Sequence, residues 1–540
     1  MRKRKGFTLV ELLAVIVILA IILIIAVPGV LSIINKTKNS AYDRQLDMIK
    51  DSAKNYVTAN TVTWTGENPR STLVTLDMLQ SGGYLDKKIV DPRDKKEILC
   101  ANVLVTKDNK NKITYDVDMT CNDVQPITPR VGSGMIPIVY DGTNWRKADA
   151  SNKNFTWFNY GNQQWANVAM VNDATRETYK TASIGSEVKM NDINAMLVWI
   201  PRFKYKLFNV DGNVSPVGNS NMIADYTIDV ELENKATPKS AGTQNGKWLT
   251  HPAFTFGGEE LDGFWLTKFE VGYHDAQIVD DANQNKIAPQ QVISKPNVNS
   301  WRYLSLAKMY ENARQLKDNN QLGVTAAEDP HLIKNTEWGA LVYLSYSKYG
   351  KAGNPSYAGL EKQIRINNNN QYITGCGADS QKAAGSTTCN TYETASGQAA
   401  STTGNITGIY DTSGGAWEYV SNTMKDSTGT NMIVGATGFD QVNLNKIGFL
   451  GKYMNTYNYN DNWENRSGGQ LGDATREMGP FNGGTGAWYT AYSHFVWNSS
   501  NSAYLERGGY FGSTNYAELA AYSHHAGKEN TQAGYRITIL

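Results

Sequence analysis

Gly6-Phe7-Thr8-Leu9-Val10-Glu11-Leu12-Leu13-Ala14-Val15 opens an apolar run that carries on to Ile34. A single acid inside that run decides how the rest of the chain is read. Arg2, Lys3, Arg4 and Lys5 stand ahead of it, and Leu12 to Val27 holds no polar side chain. A helix rises about 1.5 Å per residue, so roughly 20 to 25 residues from Phe7 onward would cross a bilayer core of about 30 Å. The cationic flank keeps the N-terminus cytoplasmic, which sends everything after Ile34 to the outer face. Glu11, one turn inside the run, does not suit a plain anchor, because an unpaired carboxylate costs several kcal/mol there. It needs a partner. A secretory signal peptide is a poor alternative, since Ala26-Val27-Pro28-Gly29 offers no good cleavage site and the run is long.

The stretch Gly6-Phe7-Thr8-Leu9-Val10-Glu11-Leu12-Leu13 resembles the prepilin signature of type IV pilins and type II secretion pseudopilins, and Pro28 stands where those proteins commonly kink the helix. The resemblance implies cleavage by a prepilin peptidase between Gly6 and Phe7 and methylation of the new Phe7 amine. It also implies that Glu11 pairs with the Phe7 amine of a neighbouring subunit, which would supply the missing counter-charge.

From residue 35 to about 60, Ala41, Leu46, Ile49, Ala53 and Val57 recur at three-to-five-residue steps between Lys and Asp. That spacing predicts an amphipathic helix continuing the spine. Residues 97–105 and 112–118 flank the turn-like Lys107-Asp108-Asn109-Lys110-Asn111, a hairpin signal. Helix plus short antiparallel sheet is the pilin head. The segment from Val74 to Leu79 looks like the link between spine and sheet in Gram-positive pilins. Four cysteines lie beyond the membrane, where disulfides persist. Local pairing joins Cys100 with Cys121 and Cys376 with Cys389; C-x-x-C or Cys/His spacing for a metal is missing.

The 540 residues leave room for two to four domains, and 52 Lys+Arg against 51 Asp+Glu, net charge +1, leave no footprint for nucleic acid. Pro126, Pro129, Gly132 and Gly134 mark a linker at residues 122–134, after which a large loop-rich α+β domain is expected. Only residues 305–316 and 335–346 read as helices there. Six spaced phrases follow in order. Residues 196–202 and 263–271 read as strands, Asn335-Thr336-Glu337-Trp338 as a helix start. Gly414-Gly415-Ala416-Trp417-Glu418-Tyr419-Val420, Arg507-Gly508-Gly509-Tyr510 and Gly534-Tyr535-Arg536 complete the set. Together they resemble the formylglycine-generating enzymes, a branch of the C-type-lectin-like fold. In these phrases the glycines suit tight turns, Trp417 and Tyr535 suit burial, and Glu418, Arg507 and Arg536 suit internal ion pairs.

Catalysis in that family needs a cysteine pair between the second and third of those last phrases, and no Cys lies between Arg507 and Arg536. The enzyme chemistry is therefore expected to be absent, and with it any cofactor. No H-E-x-x-H, G-x-S-x-G or P-loop occurs, and His494, His524 and His525 read as solvated rather than metal-bound. The calcium-dependent tripeptides E-P-N and W-N-D of true C-type lectins are missing too. Residues 470–540 resemble the variable cassette of proteins diversified by retroelements. Tyr510, Ser513, Asn515, Tyr516, Tyr522, Ser523, His524 and His525 fit the variable menu. Tyr, Ser, Asn and His also make adaptable binding surfaces, so these eight residues are expected on one exposed ligand-binding face.

The combined expectation is a minor type IV pilin in an α+β arrangement. Residues 1–6 are a leader, 7–34 a transmembrane and pilus-core helix, 35–121 the helix extension and small sheet, and 135–540 a C-type-lectin-like ligand-binding domain. Its partners would be the membrane before assembly, the prepilin peptidase, other pilins through the N-terminal helix, and a protein or glycan target as adhesin or receptor at the cell surface. A pilin-anchored enzyme of the formylglycine-generating type and a secretion pseudopilin recognising cargo are the alternatives.

Overall fold

The computed structural model describes residues 9–60, 62, 70–86, 88–93, 95, 98, 101–118, 128–152, 156–206, 228–242, 247–273, 292–318, 321–380, 385–432, 437–439, 450–458, 470–475, 477, 484–485, 492–493 and 503–540. The chain divides into two compact units, Met1–Asp123 and Val124–Leu540, and mixes helix with many small sheets. Gly6, Phe7, Cys100, Cys121 and residues 122–127 of the expected linker lie outside the described residues, as do the side chains of Glu11 and Asn515.

In the first unit one helix, Leu9–Ala59, runs without a break through Pro28. Side chains 10–12 and 14–35 are outside the described set, and among the described residues no helix is long and apolar enough to cross a membrane. Ile49 and Ala53 of the amphipathic stretch are fully buried, while Met48 on the other side is exposed. They pack on a three-stranded antiparallel sheet with Arg70–Thr75 on one side of Asn102–Lys107 and Ile113–Asp118 on the other. Val103 and Val105 alternate inward and Leu104 outward, the period of a half-buried strand. The hairpin turns where Asp108 Oδ1 accepts from the amides of Lys110 (2.8 Å) and Lys112 (2.9 Å). The segment 74–79 forms the end of the first strand and most of the short helix Leu76–Ser81, which Thr75 caps.

The second unit is built on a seven-stranded antiparallel sheet. Its order is His331–Leu332, Ile537–Ile539, Gly263–Thr267, Ile193–Pro201, Asn167–Val171, Met135–Tyr140 and Trp145–Lys147. The central strands are near-continuous apolar runs because both faces are covered. One face carries Trp199 and Trp265 into the main core, where Trp157 and Trp165 from the preceding loop join them, and the other carries Ile136, Ile138, Val171 and Met196 into a smaller one. Residues 130–134 pack onto this unit: Trp265 Nε1 donates to the Arg130 carbonyl at 2.6 Å and Ser133 Oγ to that of Gly323 at 2.9 Å.

The helix Asn335–Ser345 is buried on every side, which its apolar sequence permits. Gly339 within it lets the Gly472 carbonyl approach where a Cβ would sit. Glu337 fastens its first turn: Oε2 accepts from the Lys334 amide (2.9 Å) and Thr538 Oγ1 (3.0 Å), and Oε1 faces His331 Nε2 (2.9 Å). A second, mixed sheet runs Gly484–Thr485, Tyr492–Ser493, Tyr522–His525, Tyr504–Arg507, Trp417–Tyr419, Ala533–Tyr535. It carries the phrases singled out near the C-terminus.

Candidate functional site

Strand Tyr504–Arg507 ends at Gly508 and Gly509, whose φ values of +84° and +77° turn the chain outward. A Cβ on Gly509 would lie 2.7 Å from Ala517 Cα, so the turn closes on itself. The loop Phe511–Tyr516 is a short 3₁₀ segment interrupted at Thr514, which has φ 55° and ψ −136°. That conformation is costly for a β-branched residue, by about 1 to 3 kcal/mol. Tyr510 N donates to Ser513 Oγ at 3.1 Å, and Phe511 N to the Gly415 carbonyl at 3.0 Å. Part-exposed rings line up edge to face, Tyr510 on Phe511 at 5.3 Å and Phe511 on the buried Tyr372 at 5.0 Å. Tyr516 is exposed at 38%.

Of the eight residues expected on one exposed face, the seven whose side chains are described do not share one. Tyr522 is 1% exposed, within the core, with the Arg507 guanidinium 5.8 Å from its ring centre. Tyr510, Ser513, Ser523, His524 and His525 are half-buried, which leaves Tyr516 openly presented. The reason is the strand Tyr522–His525: successive side chains leave opposite sides of a sheet, so Tyr522 and His524 cannot face the way Ser523 and His525 do. His525 Nδ1 meets the Tyr419 hydroxyl and lies 4.0 Å from Glu506 Oε1. Burial, with Lys528 and His524 nearby, lowers the His525 pKa to about 4.

The residues read as a frame are buried. Arg536 Nε donates to Glu418 Oε1 at 2.9 Å and its Nη1 to the Thr267 carbonyl at 3.0 Å; Nη2 meets the Tyr410 carbonyl. Arg507 Nη1 donates to Asn335 Oδ1 (2.8 Å) and to the Asp473 carbonyl (3.0 Å). Trp417, at 8% exposure, sits one residue before Glu418. Burial pushes the Glu418 carboxyl up to about 7 although Arg536 works against it. Glu270 is driven well above the usual carboxylate range by burial and then by Glu418 and Asp411. Sequence reasoning missed Glu270 and Asp411. Their role is to satisfy a buried loop, since Glu270 Oε1 accepts from the Ala416 amide (2.9 Å) and Asp411 Oδ1 from the Gly375 amide (2.8 Å). Position 270, two residues beyond Lys268 in an apolar run, was the available signal.

Cys376 and Cys389 are joined in a disulfide with Cα atoms 4.7 Å apart. Among the described residues no three His, Cys, Asp or Glu side chains are gathered to hold a metal ion.

Residues 1–27 match the family model of the prokaryotic N-terminal methylation motif. No curated protein matches the chain. The chain thus carries a type IV pilin-like N-terminus. Such a segment implies membrane insertion, processing by a prepilin peptidase, assembly with other pilins and a place on a surface pilus.

Proposed function

We propose that this chain is a minor type IV pilin whose second unit is a non-enzymatic binding head, an adhesin or receptor for a protein or glycan. The observation that carries the reading is the loop 510–516. It follows Gly508 and Gly509 out of a buried frame, holds Thr514 in a strained conformation, and presents Tyr516 on the same loop as the half-buried Tyr510 and Phe511. Rigid aromatic anchors on a preorganised loop are what binding hot spots use. We read the unit as C-type-lectin-like from its ordered sequence phrases, and the Tyr, Ser and Asn content of the loop suits diversification by a retroelement. A head of this size fits a tip or sparse position better than a packed shaft.

The test is adhesion by piliated cells carrying Tyr510→Ala with Tyr516→Ala. Sheared pili should contain the variant at the normal level, while adhesion falls about tenfold or more, the loss of a hot-spot pair. Unchanged adhesion with normal incorporation would place the binding site elsewhere.

A further inference from the structure

Cys376 and Cys389 close a hairpin whose strands, Cys376–Gly377 and Asn390–Thr391, pair over two residues. Cys376 is 1% exposed, whereas Cys389 is half-buried. Just before Cys389 the hairpin grips the run Asn368–Asn370. Ser386 N donates to the Asn368 carbonyl and Asn370 N to the Ser386 carbonyl, 2.7 Å each, and Asn369 Nδ2 donates to the Thr387 carbonyl at 3.0 Å. Tyr372 N then turns back onto the Asn369 carbonyl at 3.1 Å.

Tyr372 has φ +57°, a backbone state that bulky side chains avoid. On its inner side the Tyr372 carbonyl accepts from Ser300 N at 3.0 Å, and the Arg302 guanidinium lies 3.6 Å from the ring centre. The ring also meets Phe511 of the loop 510–516 edge to face. Tyr372 is thus clamped between an inner segment and the disulfide hairpin, and its strained φ persists because both sides hold it. The inner clamp is made of packed side chains and backbone. The outer clamp depends on a covalent bond that thiols can reverse.

We propose that the Cys376–Cys389 disulfide is a redox latch on the loop 510–516. A thiolate of an external dithiol attacks Sγ of Cys389, the less buried sulfur, the S–S bond breaks, and Cys376 leaves as a thiolate that takes up a proton. The second thiol of the dithiol attacks its own sulfur in the mixed disulfide and releases Cys389, which is protonated in turn. The dithiol ends as a disulfide, and the two cysteines have gained two electrons and two protons. Opening the closed loop returns chain entropy to residues 385–389, against which stand only the three hydrogen bonds to Asn368–Asn370. Once these part, Tyr372 relaxes to negative φ and its ring leaves Phe511. The hairpin is a sheet of its own, apart from the seven-stranded and six-stranded sheets, so the unit stays folded while the loop loosens. The latch bears on adhesion only through the reading of the loop 510–516 as the binding element.

Hydrogen exchange followed by mass spectrometry on the full-length protein in detergent micelles, before and after dithiothreitol, tests the latch. Peptides spanning 366–373 and 509–517 should exchange about tenfold faster after reduction, while Ile193–Pro201 keeps its protection. Because dithiothreitol also reaches Cys100 and Cys121, Cys376→Ser with Cys389→Ser is the control: its loop should exchange fast with or without the reductant. Native protection of 509–517 in the reduced protein and in the double variant, or a loss shared equally by Ile193–Pro201, would overturn the latch. Piliated cells carrying the double variant should adhere poorly with no reductant present. A loosened loop with undiminished adhesion would uphold the latch and overturn 510–516 as the binding element.

Discussion

Arg536→Ala leaves the Glu418 carboxyl fully buried without the guanidinium it faces, and removing one partner of such a pair costs about 3 to 5 kcal/mol. Urea denaturation should show that loss. Tyr522→Ala should cost about 3 kcal/mol or more as a core truncation, whereas Tyr516→Ala should stay within about 0.5 kcal/mol. Equal effects at the two tyrosines would contradict their different burial. Thr514→Gly relieves the strained φ and should raise stability by about 1 kcal/mol while loosening the loop. The frame was legible at this scale, because a charged residue beside Trp417 or Tyr535 in an apolar phrase has to be paired. Tyr522 was not, because residue type fits it to a binding surface while only strand register says which way it points.

Among the elements, Asn335–Ser345 was readable from its good helix formers, and the hairpin at 102–118 from its turn. The helix Asp173–Thr181 was missed because its sequence is polar and buries only Tyr179; its one local signal is Asn172, whose Oδ1 accepts from the Thr175 amide at 3.1 Å. Strands of two or three residues, such as His331–Leu332 and Cys376–Gly377, carry too little periodicity to be seen and exist through distant partners. The disulfide sits on one of these, where Cys376 pairs with Thr391. Replacing Cys376 and Cys389 by Ser reopens a 13-residue loop and should lower stability by about 2 to 3 kcal/mol. Reductant should destabilise the second unit of the wild type by the same amount and leave that unit of the double variant unchanged.

At the scale of the whole molecule, the interior stores protons. Burial pushes the carboxyls of Glu506 and Glu518 up to about 8 from an ordinary 4.5. Between those values the folded state keeps a proton that the unfolded chain has lost, so each group makes stability fall as pH rises. Glu518→Gln cannot ionise, so its melting temperature should gain on the wild type steadily from about pH 5 to pH 8. A constant difference would show that Glu518 does not titrate there. Asp329 acts in the opposite sense: burial works against its charge, but Lys452, Arg314 and Tyr453 hold it down to about 2. Its contribution is present above about pH 4 and lost as pH falls toward 2, so Asp329→Asn should cost stability at neutral pH and little near pH 2. The N-terminal segment was the most legible part of all, since one acid in an apolar run has few physical explanations. The order of the central sheet was not legible, because strand Ile537–Ile539 sits between Gly263–Thr267 and His331–Leu332. That insertion sets a clock on biosynthesis. Leu266 waits for Thr538 to be translated before its ladder can close, and an emerging chain at about 5 to 20 residues per second exposes that edge for many seconds. A holding chaperone or prompt export would have to shield it from the nascent chains of neighbouring ribosomes.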